Sequence, residues 1–177
     1  MAVTTVEQRK ANYKWILLGQ TLELSLDEKL LIRQTWSYKS SDMGKRGLDI
    51  FVRLFELHPV YRSYFQKLRD IDIDNLRESP KLRDHGGRVM VSITDLVDTM
   101  DSPTNLRDMA IKIGRAHFSR GVRHNQYREL FAIVLDYLQD KASVVYNDAA
   151  EAAWQKLFNY VLKVIDTVME FEHDKTG

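Results

Sequence analysis

The sequence contains no cysteine among its 177 residues. Disulfides, cysteine-ligated zinc, iron–sulfur clusters and thiol catalysis are therefore excluded. An excess of one charge is also missing, since 26 basic and 25 acidic side chains give a formal net charge of +1. This balance offers no basic surface for nucleic acid or an anionic membrane. The chain also lacks the long apolar run, about 18 residues, that a membrane-spanning helix needs.

Proline and glycine are scarce, with three and eight copies, and the alternating pattern of β-strands does not occur. Apolar residues instead recur at helical spacing, most clearly between Ala150 and Met169. The length and the apolar content of 44% fit one globular all-α domain. The N-terminus has no apolar segment long enough for a signal peptide, so we expect a cytoplasmic protein.

Local capping signals divide the chain into helices. Ser25 and Glu28 have the spacing of a capping box. Ser79-Pro80 and Ser102-Pro103 each place an N-cap before a proline in the first turn. The apolar stripe from Met43 to Leu57 predicts another helix, which should end before the proline at position 59, and a last helix is expected to start near residue 148.

We expect an N-terminal extension over residues 1–24, a main domain over residues 25–172 and a C-terminal tail over residues 173–177. Aromatic and apolar residues in the extension predict an additional helix through Tyr13, Trp15 and Leu18. This segment could pack on its own domain or on a partner, and the sequence does not determine the oligomeric state.

Two histidines lie on apolar faces of different predicted helices, His85 and His117, 32 residues apart. His117 follows Leu106, Ala110 and Ile113 on one helical stripe. A single histidine in such a place is more often a packed core residue than a metal ligand. The residues around the two histidines decide between these interpretations.

Five segments carry a resemblance to a known family: FVRLFELHP at 51–59, phenylalanine at 65, DHGGRVM at 84–90, GRAHFSRGV at 114–122 and AAW at 152–154. In this order and spacing they resemble the globin family, most closely neuroglobin-like and invertebrate, nematode-type neuronal globins. The resemblance implies a globin fold, a three-over-three helical sandwich around haem b.

The resemblance also implies the roles of individual residues. His117 would be the proximal iron ligand through Nε2, with its other ring nitrogen donating to an oxygen of its own helix. The remaining haem contacts follow in three groups. Leu106, Ile113, Val122 and Tyr127 would line the proximal side, Phe51, Phe65 and Val89 the distal side, and Arg88 would pair with a haem propionate, with Arg120, Arg123 and His124 as alternatives.

His85 leaves two mechanisms open. It can ligate the iron, giving a six-coordinate bis-histidyl haem suited to redox or gas-linked signalling and electron transfer, or it can hydrogen-bond bound O₂ in a reversible carrier, store or sensor. Bound CO or NO would occupy the same place. Gly86 is expected to face Gly47 at a helix crossing, whereas Gly87 is interpreted as a source of distal mobility, because glycine weakens a helix by roughly 0.5–1 kcal/mol.

Two further hypotheses are less favoured. A peroxidase-like haem enzyme needs an acid–base partner beside His85, and the sequence offers none. An NO-consuming enzyme usually has a flavin reductase domain, which these 177 residues do not include, so we do not expect an enzyme. A helical interaction module without haem is a further alternative, and the absence of a Soret band after expression with adequate haem would favour it.

Overall fold

The computed structural model describes residues 8, 13, 16–37, 42–65, 68 and 71–176, and none of these residues lies in a β-strand. From residue 26 onward the described chain is a succession of helices. These are α1 (Leu26–Ser37), α2 (Met43–Leu57), a 3-10 helix (Pro59–Tyr64), α3 (Ile73–Leu76), α4 (Pro80–Thr99), α5 (Pro103–Phe118), α6 (His124–Lys141) and α7 (Asp148–Thr176). The expectation of an all-α protein is confirmed.

Helices α1, α2, α4, α5 and α7 begin where the sequence predicts, whereas α3 was not predicted. The Ser25 amide donates to Glu28 Oε2 at 2.8 Å, and the Glu28 amide donates to Ser25 Oγ at 3.2 Å, which completes the capping box. The hydroxyls of Ser79 and Ser102 each accept from the amide three residues later. Asn147 caps α7, since its Oδ1 accepts from the amide three residues on at 2.9 Å.

Two pairs of glycines face each other where α2 and α4 cross. A Cβ placed on Gly47 would lie 2.1 Å from the carbonyl carbon of Gly86, so the two backbones touch, as predicted. Gly87 faces Gly44, and a Cβ placed on Gly87 would lie 3.4 Å from the Gly44 Cα. Gly87 therefore has a packing environment of its own, which the interpretation as a source of mobility did not foresee.

The turn after α5 requires a glycine. Gly121 has φ +76°, a left-handed conformation that other residues rarely adopt. It follows α5 at the predicted break and lies against the Tyr64 ring, 3.6 Å from where its Cβ would be. The turn brings Val122 back toward the interior, where it packs against the core.

The N-terminal extension lies along the last turns of α7. Residues 16–19 are helical, and Leu17, Leu22 and Leu24 pack against the core. The side-chain amide of Gln20 donates to Thr167 Oγ1 at 2.9 Å. The predicted helix through Trp15 falls partly outside the described residues. No helix in the described part of the chain is long and apolar enough to cross a membrane.

The C-terminal boundary differs from the expectation. Residues 173–176, predicted as a tail, continue α7. The physical reason is the apolar stripe of this helix, whose buried residues reach Met169, together with the charged pair Lys175–Glu172 one turn apart at 2.9 Å.

Candidate haem cavity

An apolar cavity lies between α2, the 3-10 helix, α4, α5 and α6. Its empty volume is about 760 Å³, including the part that opens to solvent. Eight of the ten predicted site residues line it. They are Phe51, Phe65, His85, Val89, Ile113, His117, Val122 and Tyr127.

His117 is fixed by the backbone of its own helix. Its Nδ1 lies 3.0 Å from the carbonyl oxygen of Ile113, one turn earlier on α5. A carbonyl oxygen only accepts, so Nδ1 carries the proton and Nε2 keeps its lone pair. The Tyr127 ring lies 5.7 Å from the imidazole, and its hydroxyl donates to the same carbonyl at 3.4 Å. His117 is thus held as a metal-ligating histidine usually is.

His85 is held by rings rather than by hydrogen bonds. Its centroid lies 5.0 Å from the rings of both Phe51 and Phe65. No hydrogen bond connects His85 to any residue that the structure describes. Burial is the largest cause that lowers the pKa of His85 to about 4, and the neighbouring Arg88 and Arg120 contribute to this shift. The imidazole is therefore neutral at physiological pH and has a lone pair available for a metal.

Cationic side chains surround a surface depression beside the cavity. Lys81, Arg88 and Arg120 line this depression together with His85. Arg88 pairs with Asp84, one turn earlier on the exposed face of α4. Arg88 thus lies at the rim, outside the cavity itself. Lys81 was missed in the sequence, although it lies one turn before His85 and two turns before Arg88 on the same face of α4.

Two of the alternative rim residues are engaged elsewhere. The guanidinium of Arg123 lies 4.6 Å from the Phe118 ring and donates to the Phe118 carbonyl at 2.9 Å. His124 Nδ1 lies 2.8 Å from Asp166 Oδ2 on α7. Neither Arg123 nor His124 lines the depression, so Lys81, Arg88 and Arg120 are its cations. Arg120 also donates to the Ala116 carbonyl.

Leu106 does not line the cavity and is corrected to a core residue. It is 1% exposed and belongs to the buried core. Leu106 shares the stripe of His117 but precedes it by 11 residues, which is roughly 16 Å along a helix. Ile113, one turn from His117, reaches the cavity for the same geometric reason.

Sequence reasoning missed several lining residues. Ile93 and Leu96 belong to the predicted α4 stripe but were not assigned to the site. The remaining ones come from four elements whose approach depends on tertiary packing. They are Leu54, Tyr61, Tyr64, Ser92, Gln126, Leu130 and Phe131.

The residues present fit a haem better than a bare metal ion. Within the described ranges, no group of three or more His, Cys, Asp or Glu side chains could hold a metal alone. An ion between the two histidines would need ligands from elsewhere, and a porphyrin supplies four nitrogens. The apolar walls suit the ring, the free Nε2 of His117 suits the iron, and the rim cations suit the two carboxylates.

Comparisons with known proteins agree with this geometry. The family model described as Globin matches residues 48–165. A globin of Nerita albicilla is 32% identical over 143 residues, which cover 81% of this chain and 91% of the relative. A neuroglobin of Dissostichus mawsoni is 28% identical, covering 79% of this chain and 89% of the relative. The solved structure of a Drosophila melanogaster hexa-coordinate hemoglobin superposes with a TM-score of 0.74 at 25% identity, covering 80% of this chain and 93% of that one. The chain belongs to the globin family of haem-binding proteins.

Proposed function

We propose that this globin holds haem b between His117 and His85 in a six-coordinate bis-histidyl state and acts in redox or gas-linked signalling, including electron transfer. The observation that carries the proposal is the neutral His85 imidazole inside the cavity, without a hydrogen bond to any described residue. The haem iron supplies a ferrous–ferric couple and binds O₂, CO or NO.

The packing of His85 supports ligation. Phe51 and Phe65 contact its ring edge-to-face, with interplanar angles of 72° and 79°. Two aromatic contacts of this kind stabilise the ring by about 1–3 kcal/mol, and they hold it in the cavity instead of in solvent. The Drosophila relative, described as hexa-coordinate, supports the same assignment.

Ligation by His85 has a consequence for gas binding. An external ligand can bind only while His85 is away from the iron, so its apparent affinity falls by the open fraction. A protein with this competition is poorly suited to bulk O₂ transport. It would be suited to electron exchange, since His117 and His85 would both hold the iron in either oxidation state.

Reversible O₂ binding is the second candidate. The neutral imidazole of His85 has one N–H, which could donate to a bound diatomic ligand. The cavity continues past His85 to Ile93, Leu96 and Leu130, so apolar space for such a ligand is present.

A visible absorption spectrum of the reduced protein without added ligand distinguishes the two candidates. We expect sharp, split low-spin bands for the wild type and a single broad high-spin band for His85→Leu. His124→Gln is the matched control, because His124 contacts Asp166 outside the cavity, and it should keep the low-spin bands. A broad high-spin band in the wild type would contradict ligation by His85 and favour the O₂ carrier.

A further inference from the structure

A chain of buried aromatic rings leads from the cavity wall into the core. Phe131 lines the cavity, and Phe158 stacks on it with centroids 4.1 Å apart and planes 4° apart. The ring centroid of Trp154 lies 5.1 Å from that of Phe158, and the ring centroid of Trp36 lies 5.7 Å from that of Trp154. All four rings are buried. Three of them have no part in holding the haem.

We propose that this chain is a route for oxidising equivalents, with Trp154 as the electron donor when a hydroperoxide oxidises the bound haem. Phe131 and Phe158 form the path for the electron, since their stacked rings connect the cavity wall to the Trp154 indole through continuous ring contacts. The function of the route is to move positive charge from the cavity to a protected side chain. It applies whichever of the two roles His85 has.

Tyr127 is nearer to His117 but is a poor donor. An oxidised phenol must release its proton, and the Tyr127 hydroxyl faces the Ile113 carbonyl, which already accepts from His117 and cannot take a proton. An indole can lose an electron and keep its proton, which favours tryptophan.

The environments of the two indoles select Trp154 over Trp36. The Arg46 guanidinium lies 5.0 Å from the Trp36 ring, and its positive charge raises the energy of a second cation there. Trp154 Nε1 donates to Thr35 Oγ1 at 2.8 Å, and the Thr35 hydroxyl donates onward to the Leu31 carbonyl at 2.7 Å. The oxygen of Thr35 therefore presents a lone pair to Trp154, which stabilises positive charge on that ring.

Trp154 is also protected from solvent. Its side chain is 0% exposed, so water and small reductants cannot reach an oxidised indole directly. A radical at this position is expected to last longer than one on a surface ring.

The O–O bond of the hydroperoxide breaks, and two electrons and two protons convert it to an alcohol and water. One electron comes from the iron of the bound haem and the second from Trp154, while the protons come from solvent. The indole keeps its Nε1 proton and becomes a radical cation.

Rapid-freeze EPR after mixing the haem-loaded protein with hydrogen peroxide tests the proposal. The chain has three tryptophans, so the variant Trp15→Phe/Trp36→Phe keeps Trp154 as the only indole and leaves its surroundings on α7 intact. Ring-deuterated tryptophan should narrow the radical signal of this variant. The same measurement is repeated in a His85→Leu background, where peroxide can reach the iron because the distal histidine is absent. The radical on Trp154 is then tested independently of whether His85 ligates the iron.

Two single variants and a control complete the test. Trp154→Phe should abolish the deuterium-sensitive signal, and Phe158→Leu should remove most of it by interrupting the stack. Trp36→Phe is the matched control, since it removes the neighbouring indole, and it should keep the signal. A signal insensitive to tryptophan deuteration, or one that survives Trp154→Phe, would overturn the proposal.

Discussion

The two cavity histidines differ in what fixes them. The Nδ1 of His117 is bound to the backbone of its own helix at 3.0 Å, so its ring direction is set by α5. The His85 ring packs edge-to-face against Phe51 and Phe65 and has no hydrogen bond to a described residue, so it is free to make small movements. The proximal ligand is therefore the constant feature of the site, and the distal residue is the one that sets its chemistry.

The depressed pKa of His85 predicts a pH dependence in the haem-free protein. In the unfolded chain His85 takes up a proton near pH 6.5, but in the folded chain only near pH 4. The unfolded state thus binds more protons between these values, and stability falls as the pH decreases. We expect a loss of about 2 kcal/mol between pH 7 and pH 5 that is specific to His85, measured by urea unfolding.

His85→Leu is the test variant, since it cannot titrate, and its unfolding free energy should lack this component. His124→Leu removes a histidine outside the cavity and should follow the wild-type curve. Equal pH profiles for wild type and His85→Leu would show that the neutral form of His85 is not favoured by the fold.

At the scale of helices, the crossing of α2 and α4 places His85 opposite Phe51. The contact between Gly47 and Gly86 was predictable, because Gly86 immediately follows a histidine that resembles the family's distal residue. The contact between Gly87 and Gly44 was not, since nothing in the local sequence of α4 shows which residue of α2 it faces. The local spacing of apolar residues predicts a helix and its buried face. Which residues of two helices face each other is determined only by how the helices pack.

The two neighbouring glycines should respond differently to alanine. In Gly86→Ala the new Cβ would lie 2.5 Å from the Gly47 carbonyl carbon, so the helices must separate, and we expect a loss of about 3 kcal/mol or more. In Gly87→Ala the nearest atom is 3.4 Å away, an ordinary contact. Alanine's better helix propensity should then stabilise the protein by roughly 0.5–1 kcal/mol.

Thermal unfolding of the two variants checks this prediction, with each serving as the control for the other. The same variants test distal mobility. If Gly87 allows His85 to move, the stiffer α4 of Gly87→Ala should change the ratio of low-spin to high-spin absorption bands. A destabilised Gly87→Ala would contradict the packing argument.

At the scale of the whole molecule, the sequence predicted the features that depend on residues close together along the chain. It missed features that depend on how the helices pack against one another. The caps at Ser25, Ser79 and Ser102 act over three residues, and all of them are present. Leu106 lies on the same face of α5 as His117, but it is too far from His117 along the helix axis to reach the cavity. Lys81 reaches the rim from the face of α4 that carries His85 and Arg88, so the helical spacing contained this signal although it was not used.

The N-terminal extension contacts the last turns of α7, and these turns in turn contact α5, which carries His117. On one face of α7, Thr167 and Phe171 contact the extension through Gln20 and Tyr13. On another face, Val168 lies 3.3 Å from where a Cβ of Gly114 would be, one turn before His117. The last turns of α7 are therefore packed between the extension and the helix that carries the proximal ligand.

Removing residues 1–24 should loosen this end of α7 without removing the haem site. The deletion exposes surface covered by three half-buried leucines, at about 1 kcal/mol each, so Tm should fall by roughly 6–12 °C. Hydrogen exchange should accelerate at residues 165–174 and remain slow in α2. Tyr13→Phe is the milder control, since it loses the 2.8 Å hydrogen bond to Asp174 and keeps the ring on Phe171. Unchanged exchange at residues 165–174 in the deletion variant would show that the extension does not support α7, and the stability of the proximal helix would then come from α5 and α7 alone.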